Sequence, residues 1–209
     1  MELPTDADYR EALEHADLVL ADSGFMVLLW WLFLGEKLER ISGLRYLKLL
    51  LKQRELREPG AVLWVVPSHA AQERNLAWLR AQDFKCNAAD CYIAPFYPAA
   101  NITDPKLVSL IEARHPRHVV VCIGGGPQEK LGLHLARTCP GPLAVHCIGA
   151  AMGFLSGDQV RIPDWADRWF LGWALRCLAD PRRIVPRYLK AIRLAGLLRQ
   201  NRHLSPLPV

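Results

Sequence analysis

No apolar run in this chain is longer than the ten residues Phe25 to Leu34, FMVLLWWLFL. A helix needs about 20 such residues to cross a bilayer, so the sequence offers no membrane-spanning helix. The N-terminus, MELPTDADYREALEH, has early acids and no apolar core, and so does not read as a signal peptide. Cysteine is sparse: the six thiols are scattered, with no C-x-x-C pair, which predicts reduced cysteines in a cytoplasmic protein rather than a disulfide framework. G-x-G-x-x-G, a Walker loop, a G-x-S-x-G elbow and H-E-x-x-H are all missing, and the seven histidines show no metal-ligand spacing. With 14 Gly and 15 Pro the chain is neither collagen-like nor low-complexity. What is present is 51% apolar and 22% charged residues over 209 positions, a globular balance with length for one domain and a small appendage.

Charge is unevenly placed. From Arg161 to Val209 ten Arg or Lys face three Asp, a balance of +7, whereas the first 160 residues carry −2. Such a block suits nucleic acid, anionic lipid or a phosphorylated substrate, or it is the solvated face of ordinary helices. Trp165, Trp169, Phe170, Trp173 and Tyr188 interleave with its arginines, a pattern that fits a membrane interface better than a duplex groove.

Periodicity and breakers predict alternating elements. A helix capped by Thr5 or Asp6 runs to about Ala16, and a short buried strand follows over Leu18 to Ala21. After the turn Asp22-Ser23-Gly24 comes an apolar helix ending at Gly35, read as core because a helix apolar all round is normally buried, with a contact to acceptor lipid through its two tryptophans as the alternative. Another helix covers about Leu44 to Leu56, then a strand Ala61 to Val66 and a helix Ala70 to Ala81. A strand lies within Cys86 to Ala94, a helix starts at Asp104-Pro105, and His118 to Ile123 is a buried strand. A turn at Gly124 to Pro127 leads into a helix to Arg137, and Pro142 to Ile148 is a last strand. The fold class is therefore α/β: a Rossmann-like, largely parallel sheet flanked by helices over residues 1–163, with a helical, basic C-terminal appendage over 164–209.

In open parallel sheets, ligands collect beyond the C-terminal ends of the strands. Two polar turns fall there. Asp22, leaving a predicted strand, is placed either for general-base work or for capping the helix that follows. The turn Gly124-Gly125-Gly126 with Pro127, Gln128 and Glu129 either lets a diphosphate approach a helix N-terminus or is a tight connection. Asp6-Ala7-Asp8 has a metal-binding D-x-D spacing, but its place at a helix start favours capping. His146, inside a strand, reads as a core histidine.

The order of these motifs is more specific than any one of them. Leu20-Ala-Asp22-Ser-Gly24 is followed by Glu39-Arg40-Ile-Ser-Gly43 and then by Gly124-Gly-Gly126-Pro-Gln128-Glu129-Lys130. Gly157-Asp-Gln-Val-Arg161-Ile-Pro163, Trp173-Ala-Leu-Arg176, Pro181-Arg182-Arg183 and Arg187-Tyr188-Leu189 complete the series. From roughly Ala7 to Leu189 it resembles the WecG/TagA/CpsF family of bacterial glycosyltransferases. The resemblance implies an inverting transferase that uses no metal or other cofactor and moves an N-acetylmannosamine-type sugar from a UDP-sugar donor. The implied acceptor is a polyprenyl-diphosphate-linked sugar at the cytoplasmic face of the membrane, with peripheral contact to anionic lipid and no nucleic-acid partner. By residue it implies Asp22 as base, Arg40 and Gln128 in the pocket, and Gly124, Gly125, Gly126, Glu129 and Arg161 at the substrate. Arg176, Arg183 and Arg187 match arginines of a C-terminal segment that closes over the site.

The chain also departs from the family pattern. G-T-D-L is replaced by Gly43-Leu44-Arg45-Tyr46, D-G-Y-F by Ala94-Pro95-Phe96-Tyr97, G-G-A-F-D by Gly149-Ala150-Ala151-Met152-Gly153, and L-E-W by Leu171-Gly172-Trp173. The family's first strand, with its Thr-x-Asn element, would lie before Met1, and a start upstream would supply it. These replacements keep a second expectation open: a non-catalytic relative that binds nucleotide sugar or lipid-linked glycan as a scaffold.

Overall fold

The computed structural model describes residues 6–98, 101–139 and 141–158. The 164–209 appendage and Arg161, Arg176, Arg183 and Arg187 lie outside the described residues. The described residues belong to two compact units, residues 20–42 in one and residues 6–19 with 43–158 in the other.

The larger unit is built on four strands: β1 (Val62–Val66), β2 (Cys91–Ile93), β3 (His118–Val121) and β4 (Ala144–Cys147). Their order in the sheet is β2-β1-β3-β4, and every pairing is parallel. Parallel strands need crossover connections, which the intervening helices supply, and a sheet covered on both faces reads as continuous apolar sequence. β1 (VLWVV) and β3 (HVVV) accordingly have every residue buried.

Alternation along the strands divides the core. Val62, Trp64, Val66 and Val120 face one cluster with Leu47 and Leu50 of α3 (Gly43–Leu50), Leu79 of α4 (His69–Ala81) and Met152 of α7 (Ala151–Ser156). Leu63, Val65, Val119 and Val121 face the other, with Leu107 and Ile111 of α5 (Pro105–Arg114) and Leu131 and Leu135 of α6 (Pro127–Thr138). On α6, Gly132 permits close approach to β4, because a Cβ there would stand 2.9 Å from Cys147 Sγ.

The first helix, α1 (Ala7–Glu14), is tied to α6 by charge. Asp6 caps α1, accepting from the Tyr9 amide at 3.0 Å, and also takes Lys130 Nζ at 2.6 Å. Glu11 pairs with Arg137 at 2.7 Å. The D-x-D spacing therefore resolves to capping plus an ion pair, and no cluster of three or more potential metal ligands occurs among the described residues.

Two expectations are corrected. Leu18 to Ala21 forms no strand: Leu18 and Val19 are 65% and 54% exposed, and the sheet gives the segment no pairing partner. Four apolar residues carry strand propensity, but a strand exists only where a neighbour completes its ladder. The second correction concerns α2 (Gly24–Leu34) of the smaller unit. It forms as expected and stops at Gly35, yet Val27 is its one buried residue. Leu28, Trp31 and Leu32 are 47%, 50% and 63% exposed while the remaining residues are partly buried, so one face of the helix lies outside the core. Boundaries shift elsewhere: the predicted 44–56 helix ends at Leu50 and gives way to a 3-10 turn over Arg54–Arg57, and α7 had no sequence signal.

Candidate active site

In the smaller unit, Ser23 is the N-cap of α2, its hydroxyl accepting from the Met26 amide at 3.2 Å. That settles the capping alternative for Asp22, because the cap belongs to its neighbour. The structure brings Asp22 and Arg40 together: Arg40 Nε donates to the Asp22 carbonyl oxygen at 2.8 Å, closing the segment that contains α2. Asp22 is exposed and Arg40 half-buried. A guanidinium thus sits against the main chain of the acid that the sequence singles out.

In the larger unit, strand order reverses between β1 and β3, since β2 lies on one side of β1 and β3 on the other. Such a switch point opens a crevice beyond the strand ends. The turn at residues 124–126 leaves β3 there and enters α6. Gly126 adopts φ +92°, ψ −73°, a conformation that side chains avoid. Gly124 and Gly125 are exposed, and a Cβ on Gly124 would meet nothing within 4 Å.

The two side chains after the glycines hold this turn. Glu129 Oε2 accepts from the Gly126 amide at 2.6 Å, placing a carboxylate over the first turn of α6. Gln128 is buried, and both ends of its amide are occupied. Its Oε1 accepts from the Gly149 amide at 2.7 Å, and its Nε2 donates to Glu129 Oε1 at 2.8 Å. Gln128 therefore latches the loop after β4 to the start of α6. Pro127 has no amide proton, and the Gln128 and Lys130 amides bond back to the Gly124 and Gly126 carbonyls at 3.4 Å. The donors of this helix start are thus largely engaged within the turn.

Sequence reasoning missed two polar clusters. Buried Asp104, the N-cap of α5, accepts from Tyr97 OH at 2.7 Å, from Tyr92 OH at 2.9 Å and from the Leu107 amide at 3.0 Å. Burial and this carboxylate raise the Tyr92 phenol to about 12 and push Tyr97 up as well. The cluster anchors the loop after β2, whose tip, Phe96, is 98% exposed. The only sequence signal was an Asp before Pro105, which marks a helix start.

The second cluster is a chain of hydrogen bonds. Tyr46 OH lies 2.7 Å from His146 Nδ1, and His146 Nε2 lies 3.1 Å from His118 Nδ1. Glu55 stands 3.9 Å from the far nitrogen of His118. Burial lowers His146 to about 4 and lowers His118 too, so both rings are neutral at pH 7. Each neutral ring carries one N–H, so the two bonds run in a single direction, either from Tyr46 toward His118 or from His118 toward Tyr46. His146 is half-buried and bonded rather than a bare core residue.

The described cysteines form no disulfide, and burial holds half-buried Cys91 at about 12 and pushes buried Cys122 up. These thiols stay protonated and are poor nucleophiles.

The sequence profile of the glycosyl transferase WecG/TagA/CpsF family matches residues 1–206. The chain belongs to that family. Among individually curated proteins none matches it. Family membership makes the chain a glycosyltransferase-family protein.

Proposed function

We propose that the chain is an inverting, metal-independent transferase that moves an N-acetylmannosamine-type sugar from a UDP-sugar to a polyprenyl-diphosphate-linked sugar. It would work from the cytoplasmic face of the membrane, in surface-polysaccharide or wall-polymer synthesis. The family match over residues 1–206 carries this reading, and the Arg40–Asp22 contact supports its chemistry.

In the proposed step the acceptor hydroxyl attacks the anomeric carbon of the donor as Asp22 takes its proton. The new carbon–oxygen bond forms on the face opposite the breaking bond to the diphosphate, which inverts the centre. The electron pair of the broken bond leaves with UDP. Arg40 and the turn at Gly124, Gly125 and Gly126 are proposed to stabilise that growing negative charge, as guanidinium groups and helix N-termini do, the Gly126 amide only once Glu129 has released it. Arg161, Arg176, Arg183 and Arg187 are proposed to close over the same phosphates. Gln128 is assigned to positioning, since both ends of its amide hold the turn. Glu129, whose charge faces the place where phosphates would bind, must be displaced or outweighed by these arginines.

A second reading, a scaffold that binds nucleotide sugar or lipid-linked glycan without turnover, draws support from the same Glu129 contact and from Gly153 standing where the family has an acid. The test is transfer from UDP-sugars to a polyprenyl-diphosphate acceptor by wild type and Asp22→Asn. The proposal expects kcat to fall by about 10²–10⁴ in the variant, the usual contribution of a general base. Turnover indifferent to the substitution removes Asp22 as base. Binding without turnover for any donor establishes the scaffold.

A further inference from the structure

Between Ser23 and Glu36 the chain has no charged or hydrogen-bonding side chain other than the indoles of Trp30 and Trp31, and α2 nevertheless leaves a face in water. Leu28, Trp31 and Leu32 stand at i, i+3 and i+4, one stripe of the helix, with 47%, 50% and 63% of their surface exposed. The exposed parts sum to roughly 300 Å², well under the ~800 Å² per partner of a stable protein interface. A second copy of the chain is therefore a poor occupant for this face taken alone. Eleven residues make a rod about 16 Å long, too short to span the ~30 Å hydrocarbon layer but long enough to lie along its boundary. Tryptophan favours that boundary, where one edge of its ring is apolar and the indole N–H stays wet. The +7 balance after Arg161 gives the same chain an attraction to anionic headgroups.

We infer that the Leu28–Trp31–Leu32 face of α2 inserts into the headgroup–acyl boundary of an anionic phospholipid bilayer. This inference rests on the proposed lipid-linked acceptor, and it names α2 as the apolar part of the membrane contact. Basic residues supply attraction that salt screens, and the α2 face supplies burial that salt leaves intact.

The experiment is co-sedimentation of the full chain with phosphatidylglycerol/phosphatidylethanolamine vesicles at low and at 1 M salt, for wild type, Leu28→Ser/Trp31→Ser/Leu32→Ser and Trp31→Phe. The salt-resistant fraction should partition at least about tenfold less well in the triple variant and stay near wild type in Trp31→Phe. Brominated lipids should quench an emission component that Trp31→Phe lacks. Should the triple variant fail to melt cooperatively, Leu32→Ser alone carries the comparison. Unchanged partition with no such quenching overturns the inference. So does a wild-type dimer that the triple variant dissociates, which would make the face a contact between copies. Transfer to a short, water-soluble acceptor separates the two proposals. If it persists while α2 proves irrelevant to vesicles, the transferase reading survives alone; if it is absent while binding depends on α2, only the membrane assignment stands.

Discussion

β1 and α2 are the two most apolar segments of the described chain, and they meet opposite fates. All five residues of β1 are buried, Trp64 among them at 1% exposure, whereas α2 fully buries one of eleven, keeps seven partly buried and exposes three. The difference lies in what each segment has around it. β1 is paired on both edges and covered on both faces, so its side chains lose water in every direction. Hydrophobicity states how much a segment gains from leaving water and says nothing of what it leaves water for. An apolar run in a catalytic fold is therefore ambiguous between core and contact surface until its neighbours are known.

Several substitutions would break or sharpen this contrast. The largest effect belongs to Trp64→Ala, expected to cost about 3–5 kcal/mol in denaturant unfolding, as loss of a fully enclosed aromatic does. A cost below 1 kcal/mol would mean that β1 is not enclosed. Next is Gly126→Ala, which forces a Cβ onto φ +92° and should cost about 1–3 kcal/mol, read as a lowered melting temperature. If alanine is accepted there without loss, the turn does not hold the conformation described.

His146 gives a smaller, pH-dependent effect. Its ring is pushed to about 4 in the folded chain against an ordinary 6.5, so below 6.5 the unfolded chain binds the proton and the folded one resists it. Stability should accordingly decline as pH falls from 6.5 toward 4. His146→Gln should flatten part of that decline, leaving the share of His118, whose ring is also lowered by burial. Parallel pH profiles for the two proteins would exclude a buried neutral ring at 146. Smallest is Leu32→Ser, within about 0.5 kcal/mol of wild type because the side chain is already 63% exposed. A loss of several kcal/mol would return α2 to the core.

The sheet was legible because β1 and β3 are short, continuous apolar strands separated by helical periods, a pattern that only parallel packing explains economically. Capping chemistry was equally readable, since Asp6 and Asp104 lie where an acid precedes a helix; the turn at Gly124 to Pro127 was expected too, but not the positive φ of Gly126. Leu18 to Ala21 misled because pairing is a property of two segments, and local sequence shows one. The Gln128–Gly149 latch and the Tyr46–His146–His118 chain were invisible for a related reason. Each joins residues 21 or more positions apart, and no periodicity encodes which distant donor an amide or imidazole will meet. At the candidate site, the motif order pointed to Asp22, Arg40 and Gln128, while the division of labour between Asp22 and its capping neighbour Ser23 required coordinates.

The latch has a practical corollary for engineering. Gln128 clips the chain to Gly149 across the rim where the strands end, while the connection between α6 and β4 turns through exposed Gly141 at the opposite rim. Extra residues spliced in beside Gly141 would lengthen a loop whose two anchors are already fixed from the other side. That bend is the natural port for an affinity tag or fluorescent reporter that leaves the glycine rim undisturbed.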